Sequence, residues 1–391
     1  MKKRIEKMIP AFLSLGAALF FGSFLFMAVG YNPFSVYGEI IYGAAGTPGS
    51  VLNSLVQATP LLFTGLAFVI AMKGGVANIG GEGQLYAGAL GSVLAGIYLK
   101  GIPGYMHVPI CILAGVFFAG CWGSLIAVLK VYFGAQEIIT AIMLNYIMQY
   151  FVSFLVNYPL KEEGSISQTV EIADSAKLPL LSARYQLSSG ILLAVFIAVV
   201  MTFLYKRTLT GYEMSITGKS KAAARTAGIH VDKIMIRTMF ISGATAGLCG
   251  SVMILGSSYR LIDGFSSGYG FDGIAVASLA NGNFIGVLLS GAFFGALRAG
   301  AMYVNRVAKI PYDFAIVIQA LIIVLIAAPY MWRVLGRKIK SNRKVGEHYV
   351  GCDAIGYLVV SNDGSADEYP GYPGFPGRCI LCQGRYCRYG A

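Results

Sequence analysis

Two stretches of this chain place polar groups between long apolar runs. The first, residues 73–84, reads Lys-Gly-Gly-Val-Ala-Asn-Ile-Gly-Gly-Glu-Gly-Gln. It combines five glycines with one carboxylate, Glu82, and two amides, Asn78 and Gln84. Irregular polar backbone persists at membrane depth only where protein or a water-filled cavity satisfies it. An acid in such a place is by default a functional-site candidate. The same residues also fit a short cytoplasmic loop in which Glu82 is simply solvated. The second stretch, residues 211–229, carries a short, helix-prone, basic piece at 222–227 bracketed by glycines. Such a helix could receive force from a soluble partner, or it could lie on anionic lipid.

Covalent chemistry finds no comparable support. Gly218-Lys219-Ser220 ends like a phosphate-binding loop, but the glycine required five positions earlier is Glu213. Residues 268–273 spell G-x-G-x-x-G without the βαβ context that gives the motif meaning. The three histidines are scattered, so neither a metal site nor a triad is expected, and no catalytic residue is assigned. Cys111, Cys121 and Cys249 lie in apolar runs. Cys379-x-x-Cys382, with Cys387 and either Cys352 or His348, has loose zinc-ligand character. The Pro-Gly repeats around it favour a disordered tail.

The elements that hold these residues follow from composition. Only 12% of the 391 residues are charged while 56% are hydrophobic, half the charge of an ordinary soluble domain. That excludes a soluble enzyme and a disordered scaffold. Apolar runs long enough to cross a bilayer fall near 9–29, 51–72, 84–99, 107–130, 136–157, 188–205, 234–257, 284–303 and 311–331. A tenth, 271–280, is too short to cross alone. The expected fold is therefore an all-α polytopic bundle of nine to ten spans.

The net charge of +12 is concentrated in three segments: residues 1–7 (+3), 206–237 (+5) and 333–344 (+6). Confinement of Lys and Arg to short segments marks the cytoplasmic side and argues against nucleic acid. Six spans then return the chain inside at Lys206 and four more at Arg333, which favours ten spans with both termini cytoplasmic. Residues 158–187, without basic excess, fall outside. Gly243-x-x-x-Gly247 and Gly291-x-x-x-Gly295 have the spacing of close helix packing in lipid.

Four ordered motifs resemble the permease subunits of bacterial ATP-binding-cassette importers for branched-chain amino acids, ribose-type sugars and nucleosides. Asn78-Ile79-Gly80-Gly81-Glu82-Gly83-Gln84 is similar to that family's N-I-G-x-E-G-Q, and residues 137–146 to E-V-I-x-T-I-M-x-N-Y. Residues 211–229 resemble its coupling segment, and residues 270–277 match G-F-D-G-I-A-V-A. The second and fourth forms look most like the nucleoside branch. The resemblance implies an importer subunit in the bacterial cell membrane, working by alternating access. It implies three protein partners: an ATPase that holds the ATP and Mg²⁺, a second unlike permease, and a substrate-binding lipoprotein.

It also implies coupling to the ATPase through Glu213, Gly218, Ala222, Ala223, Ala224, Ala227 and Gly228. The path or gate candidates are Asn78, Glu82, Gln84, Asn145 and Asp272. This chain holds no cofactor of its own in that reading. Ser215 and Ile216 depart from the family's Arg and Ala, and Lys219-Ser220 replaces its G-x-N. The permease domain is expected over residues 1–340, with 341–391 an atypical tail. A pentose-type sugar or branched-chain amino acid is the alternative cargo. An ion-coupled secondary transporter, with Glu82 and Asp272 carrying the proton, is the alternative of another class.

Overall fold

The computed structural model describes residues 20–308 except 25, 28 and 29, together with Val317 and the short pairs 382–383 and 386–387. The expected spans at 9–29 and 311–331 lie wholly or mostly outside the described residues. So does most of the expected tail, whose described part is an antiparallel pairing of Cys382–Gln383 with Tyr386–Cys387.

Between residues 33 and 308 run eleven α-helices: α1 (Pro33–Ala45), α2 (Pro48–Lys73), α3 (Gly81–Tyr98), α4 (Gly104–Phe133), α5 (Glu137–Asn157), α6 (Gly190–Arg207), α7 (Leu209–Lys219), α8 (Lys221–Thr226), α9 (Val231–Met253), α10 (Tyr269–Leu279) and α11 (Phe284–Ala308). Helices α2, α4, α5, α6, α9 and α11 are long and apolar enough to cross a membrane. Helix α1 was not anticipated, because a search for 20-residue apolar runs passes over its 13 residues. Its local signal is clear in retrospect: Asn32 caps it by accepting the Phe34 N–H, and Pro33 occupies the first turn. Helix α7 likewise occupies what reads as loop.

Helices α2, α3, α4 and α9 form the centre, with α11 packed along α2 and α1 chiefly along α11. Of the 18 residues of α3, 14 are buried, which explains how a helix with Glu82 and Gln84 in its first turn is tolerated: it faces protein rather than lipid. The glycine spacings work as anticipated. A Cβ on Gly247 would lie 2.2 Å from Ala119 Cβ, and one on Gly295 2.5 Å from Ala58 Cβ, so both bring helix surfaces together. At the periphery, only 17% of the α6 span and 28% of the α5 span is buried, leaving Phe196, Phe203, Tyr150 and Phe154 exposed.

At one end of the bundle, residues 158–189 fold over the end of α9. They contain the short antiparallel pair β1 (Leu180–Ser182) and β2 (Leu187–Ser188). Backbone bonds tie this segment down: the Thr169 N–H donates to Leu261 O, Ile172 to Tyr259 O and Leu178 to Leu255 O. Arg260 bridges Glu162 and Glu171, and Lys177 bridges Glu171 and Asp174.

Candidate functional site

The site is built where two helices are interrupted. Helix α2 ends at Lys73, where Gly75 adopts φ +74. The Val76 N–H then returns to Ala71 O and that of Gly75 to Met72 O, closing the last turn. A five-residue connection, 76–80, leads into α3, whose first N–H groups have no partners within their own helix. Asn78 supplies part of the answer. Its Oδ1 accepts the Gly80 N–H at 3.1 Å, while its amide pairs reciprocally with Gln84: Nδ2 donates to Gln84 Oε1 at 2.7 Å and Oδ1 accepts from Gln84 Nε2 at 2.9 Å. Asn78 Nδ2 also donates to Ser242 Oγ of α9, whose hydroxyl donates to Ala67 O of α2.

Asn145, from α5, clamps the same connection from outside. Its Oδ1 accepts the Gly83 N–H at 2.8 Å and its Nδ2 donates to Ile79 O at 3.0 Å. A distant helix thereby caps α3.

Glu82 turns away from its own helix. Its Oε2 accepts the Gly270 N–H, at 2.7 Å, in the first turn of α10. The N-termini of α3 and α10 therefore meet. The close approach requires glycine at 270, where a Cβ would sit 2.3 Å from Glu82 N, whereas a Cβ on Gly81 would make only an ordinary contact, 3.4 Å from Gly270 O. Two helix ends that each carry partial positive charge are brought together with an acid in each first turn, Glu82 and Asp272.

Asp272 is held in turn by Arg298 of α11, whose Nη1 donates to its Oδ2 at 2.9 Å. The same guanidinium donates to Ser267, at its carbonyl and its hydroxyl, and lies 4.0 Å from the centre of the Tyr269 ring. The Tyr269 hydroxyl donates to Gln57 Oε1 of α2. The structure thus brings all five path candidates into one region. Four of them, Asn78, Glu82, Gln84 and Asn145, are no more than 3% exposed. That overturns the alternative in which Glu82 is solvated in a loop. Arg298, Ser242, Gln57 and Tyr269 were missed. Arg298 alone had a visible signal, an arginine inside the apolar run 284–303, while the other three are ordinary span residues until the fold places them.

The seven coupling candidates form a second, separate region. Ser220 begins α8 by accepting the Ala223 N–H at 3.3 Å, so the departure from the family pattern leaves the helix capped. Gly228, at φ +76, ends it, with the Ile229 N–H returning to Ala224 O and that of Gly228 to Arg225 O. Ala224 is fully buried in a cluster with Ile126, Ala141 and Met235, which anchors the helix to the bundle. Gly218, Ala222, Ala223, Ala227 and Gly228 are exposed and Glu213 is half-buried. Beside them, Lys130 pairs with Glu137, and burial, followed by the nearby Lys130 charge, pushes the Lys221 ammonium pKa down.

Among the described residues no group of three His, Cys, Asp or Glu side chains could hold a metal ion.

Residues 50–327 match the family model described as the branched-chain amino acid transport system/permease component. The guanosine ABC transporter permease protein NupP of Bacillus subtilis is 31% identical over 345 residues, spanning 87% of this chain and 99% of that protein. The nucleoside ABC transporter permease protein NupB of Lactococcus lactis subsp. cremoris is 30% identical, over 87% and 96%. The glucose ABC transporter permease protein TsgB13 of Haloferax volcanii is 30% identical, over 82% and 89%. No solved structure matches.

Proposed function

This chain belongs to the permease-component family of ATP-binding-cassette importers, and from that premise we propose that it carries nucleosides by alternating access. As a member it is an integral membrane transport subunit, not an enzyme, and the family works with an ATPase and a substrate-binding protein. The nucleoside cargo is supported by two relatives named for guanosine or nucleoside transport and by the motif forms at residues 137–146 and 270–277. A second, unlike permease completes the pore, and ATP and Mg²⁺ stay on the ATPase. The chain crosses the membrane ten times with both termini cytoplasmic, residues 1–340 form the permease domain, and residues 341–391 are a tail outside it.

The observation that carries the transport reading is the meeting of the α3 and α10 N-termini inside the bundle. Interrupted helices in transporters present polar backbone and helix-end charge to a permeant at membrane depth. Here the Gly83 and Gly270 N–H groups and the Asn78 and Gln84 amides are occupied by other protein groups, which we read as a closed arrangement. Opening would free the Glu82–Gly270 contact and the Asn78–Gln84 amide pair. Amides and carboxylates that satisfy one another can exchange those bonds for the hydroxyls and base edges of a neutral nucleoside. Coupling would enter through the exposed face of α8, with Ala222, Ala223 and Ala227 docking on the ATPase while Ala224 keeps the helix seated.

The test is radiolabelled uridine uptake into proteoliposomes holding this chain with the ATPase, the second permease and the binding lipoprotein. Uptake should require ATP, resist a protonophore, and be competed by guanosine but not by excess ribose, glucose or leucine. Uptake that persists without the ATPase and collapses with the protonophore would refute the proposal. Competition by glucose or ribose alone would move the cargo to a sugar. Ala223→Glu should abolish co-purification of the ATPase while membrane insertion is unchanged.

A further inference from the structure

The two regions meet in an apolar cluster, where Val76 and Ala224 are buried together, and also through an unusual contact of bare backbone. Beneath the end of α2, a Cβ on Gly75 would lie 2.9 Å from Gly218 Cα and 3.2 Å from Thr217 O. A Cβ on Gly218 would lie 2.1 Å from Lys73 O and 3.1 Å from Gly75 N. The approach is reciprocal and made by bare backbone on both sides. On its other flank Gly74 is pressed against Thr238 of α9, where a Cβ would come within 2.4 Å of Cγ2. Lys73 adds a second tie, its ammonium 4.4 Å from the centre of the Tyr205 ring at the end of α6, from which α7 departs.

Nothing but packing dictates this approach. At its margin the hydroxyls of Thr217 and Thr238, on residues no more than 1% exposed, have no hydrogen-bond partner among the described residues. Three residues beyond Gly75 stands Asn78, the hub of the network that holds α3 and α10.

We infer that the Gly75–Gly218 contact is the joint through which displacement of α7 and α8 reaches the interrupted helices. Both glycines are then positioning residues for transport rather than docking residues for the ATPase. The physical reason lies in stiffness. A contact between side chains absorbs displacement by changing rotamer, whereas backbone against backbone has no rotamer to change. Packed interiors transmit strain for the same reason. The inference rests on the reading that α8 meets the ATPase, and its test separates the two.

Gly75→Asn and Gly218→Ala each place a side chain in the joint. Asn tolerates the left-handed backbone of position 75, so its effect reports the contact rather than backbone strain. Gly134→Asn is the control, because Gly134 also has a left-handed φ, +68, but nothing lies within 4 Å of its Cβ position. The complete transporter is reconstituted with radiolabelled uridine, and three quantities are read: ATPase co-purification, ATP hydrolysis, and uridine imported per ATP. The two joint variants should keep co-purification and hydrolysis while uridine per ATP falls about 2- to 30-fold, the range produced by mutations along a coupling route. Gly134→Asn should match the unaltered protein.

An unchanged ratio in both joint variants, an equal fall in Gly134→Asn, or loss of co-purification in both joint variants would overturn the inference. If neither joint variant folds, spin labels at Met72 and Lys219 in the otherwise unaltered chain decide. Their separation should stay constant between nucleotide-free and ATP-bound states, and a change would overturn the joint. Intact co-purification in Ala223→Glu would instead refute the docking reading alone.

Discussion

Asn145→Ala isolates the energetic cost of holding α3 in place. The substitution removes two hydrogen bonds at once, the one from the Gly83 N–H at 2.8 Å and the one to Ile79 O at 3.0 Å. Gly83 lies in the first turn of α3, where an N–H has no partner within the helix, and it is buried. Orphaning a buried backbone group costs about 1–3 kcal/mol. The Ile79 carbonyl is half-buried and contributes less, so the sum is about 2–4 kcal/mol. Hydrogen bonds between membrane helices average only about 0.6 kcal/mol, because the unfolded chain also finds partners, which favours the lower end. A loss of about 2 kcal/mol changes the folded-to-unfolded ratio about 30-fold. Reversible unfolding in mixed detergent micelles measures it directly. Asn145→Leu serves as companion, since it fills the space without restoring either bond and should be nearly as unstable. If alanine is within about 0.5 kcal/mol of the unaltered protein, the ordinary surface range, the clamp does not exist as described. If leucine restores stability, the cost was volume and not hydrogen bonding.

Arg298→Met removes the guanidinium bonded to Asp272, at a site where Arg298 is 3% exposed, and removing one member of a buried pair costs about 3–5 kcal/mol. The exchange Asp272→Arg with Arg298→Asp should recover part of that loss, and no recovery in micelle unfolding would count against the pairing. Gly228→Val forces a β-branched residue into a φ of +76 and should loosen the end of α8 by about 1–3 kcal/mol, seen as faster proteolysis after Arg225 and weaker ATPase association; unchanged cleavage would contradict the cap. In the segment 158–189, hydrogen bonds from Lys177 and then Arg260 hold the Glu171 carboxyl below its usual pKa, so its contribution is present above about pH 4.3 and is lost as pH falls through the lowered value. Asp174 and then Glu171 raise the Lys177 ammonium pKa, so its contribution is complete below about pH 10.4 and fades as pH rises through the raised value. Proteolysis of residues 158–189 should therefore be slowest between those limits, and a flat profile would refute the role of these pairs.

Much of this was readable from residue order. Runs of apolar residues placed eight of the described helices within a few residues, the short α10 among them, because a helix in lipid must satisfy its own backbone and so announces itself by length and hydropathy. Two shorter helices, α1 and α7, escaped that logic. Helix α1 is signalled by its Asn32-Pro33 start rather than by hydropathy, and α7 is polar enough to pass for loop. Residues 73–84 stood out because glycine, acid and amide together are costly between apolar runs. What those groups bond to did not stand out, since Asn145 lies 62 positions from Gly83 and Gly270 lies 188 from Glu82.

Order along the chain was thus sufficient for the solvent, the helical class and the family, since each depends on local hydropathy or on contiguous motifs. Only the tertiary structure decided that Glu82 caps a different helix, that an unremarked Arg298 holds Asp272, and that Gly75 rests on Gly218. Those are contacts between separate elements. Their existence depends on how closely two backbones approach, a distance set by the packing of the whole bundle and carried by no single stretch of residues.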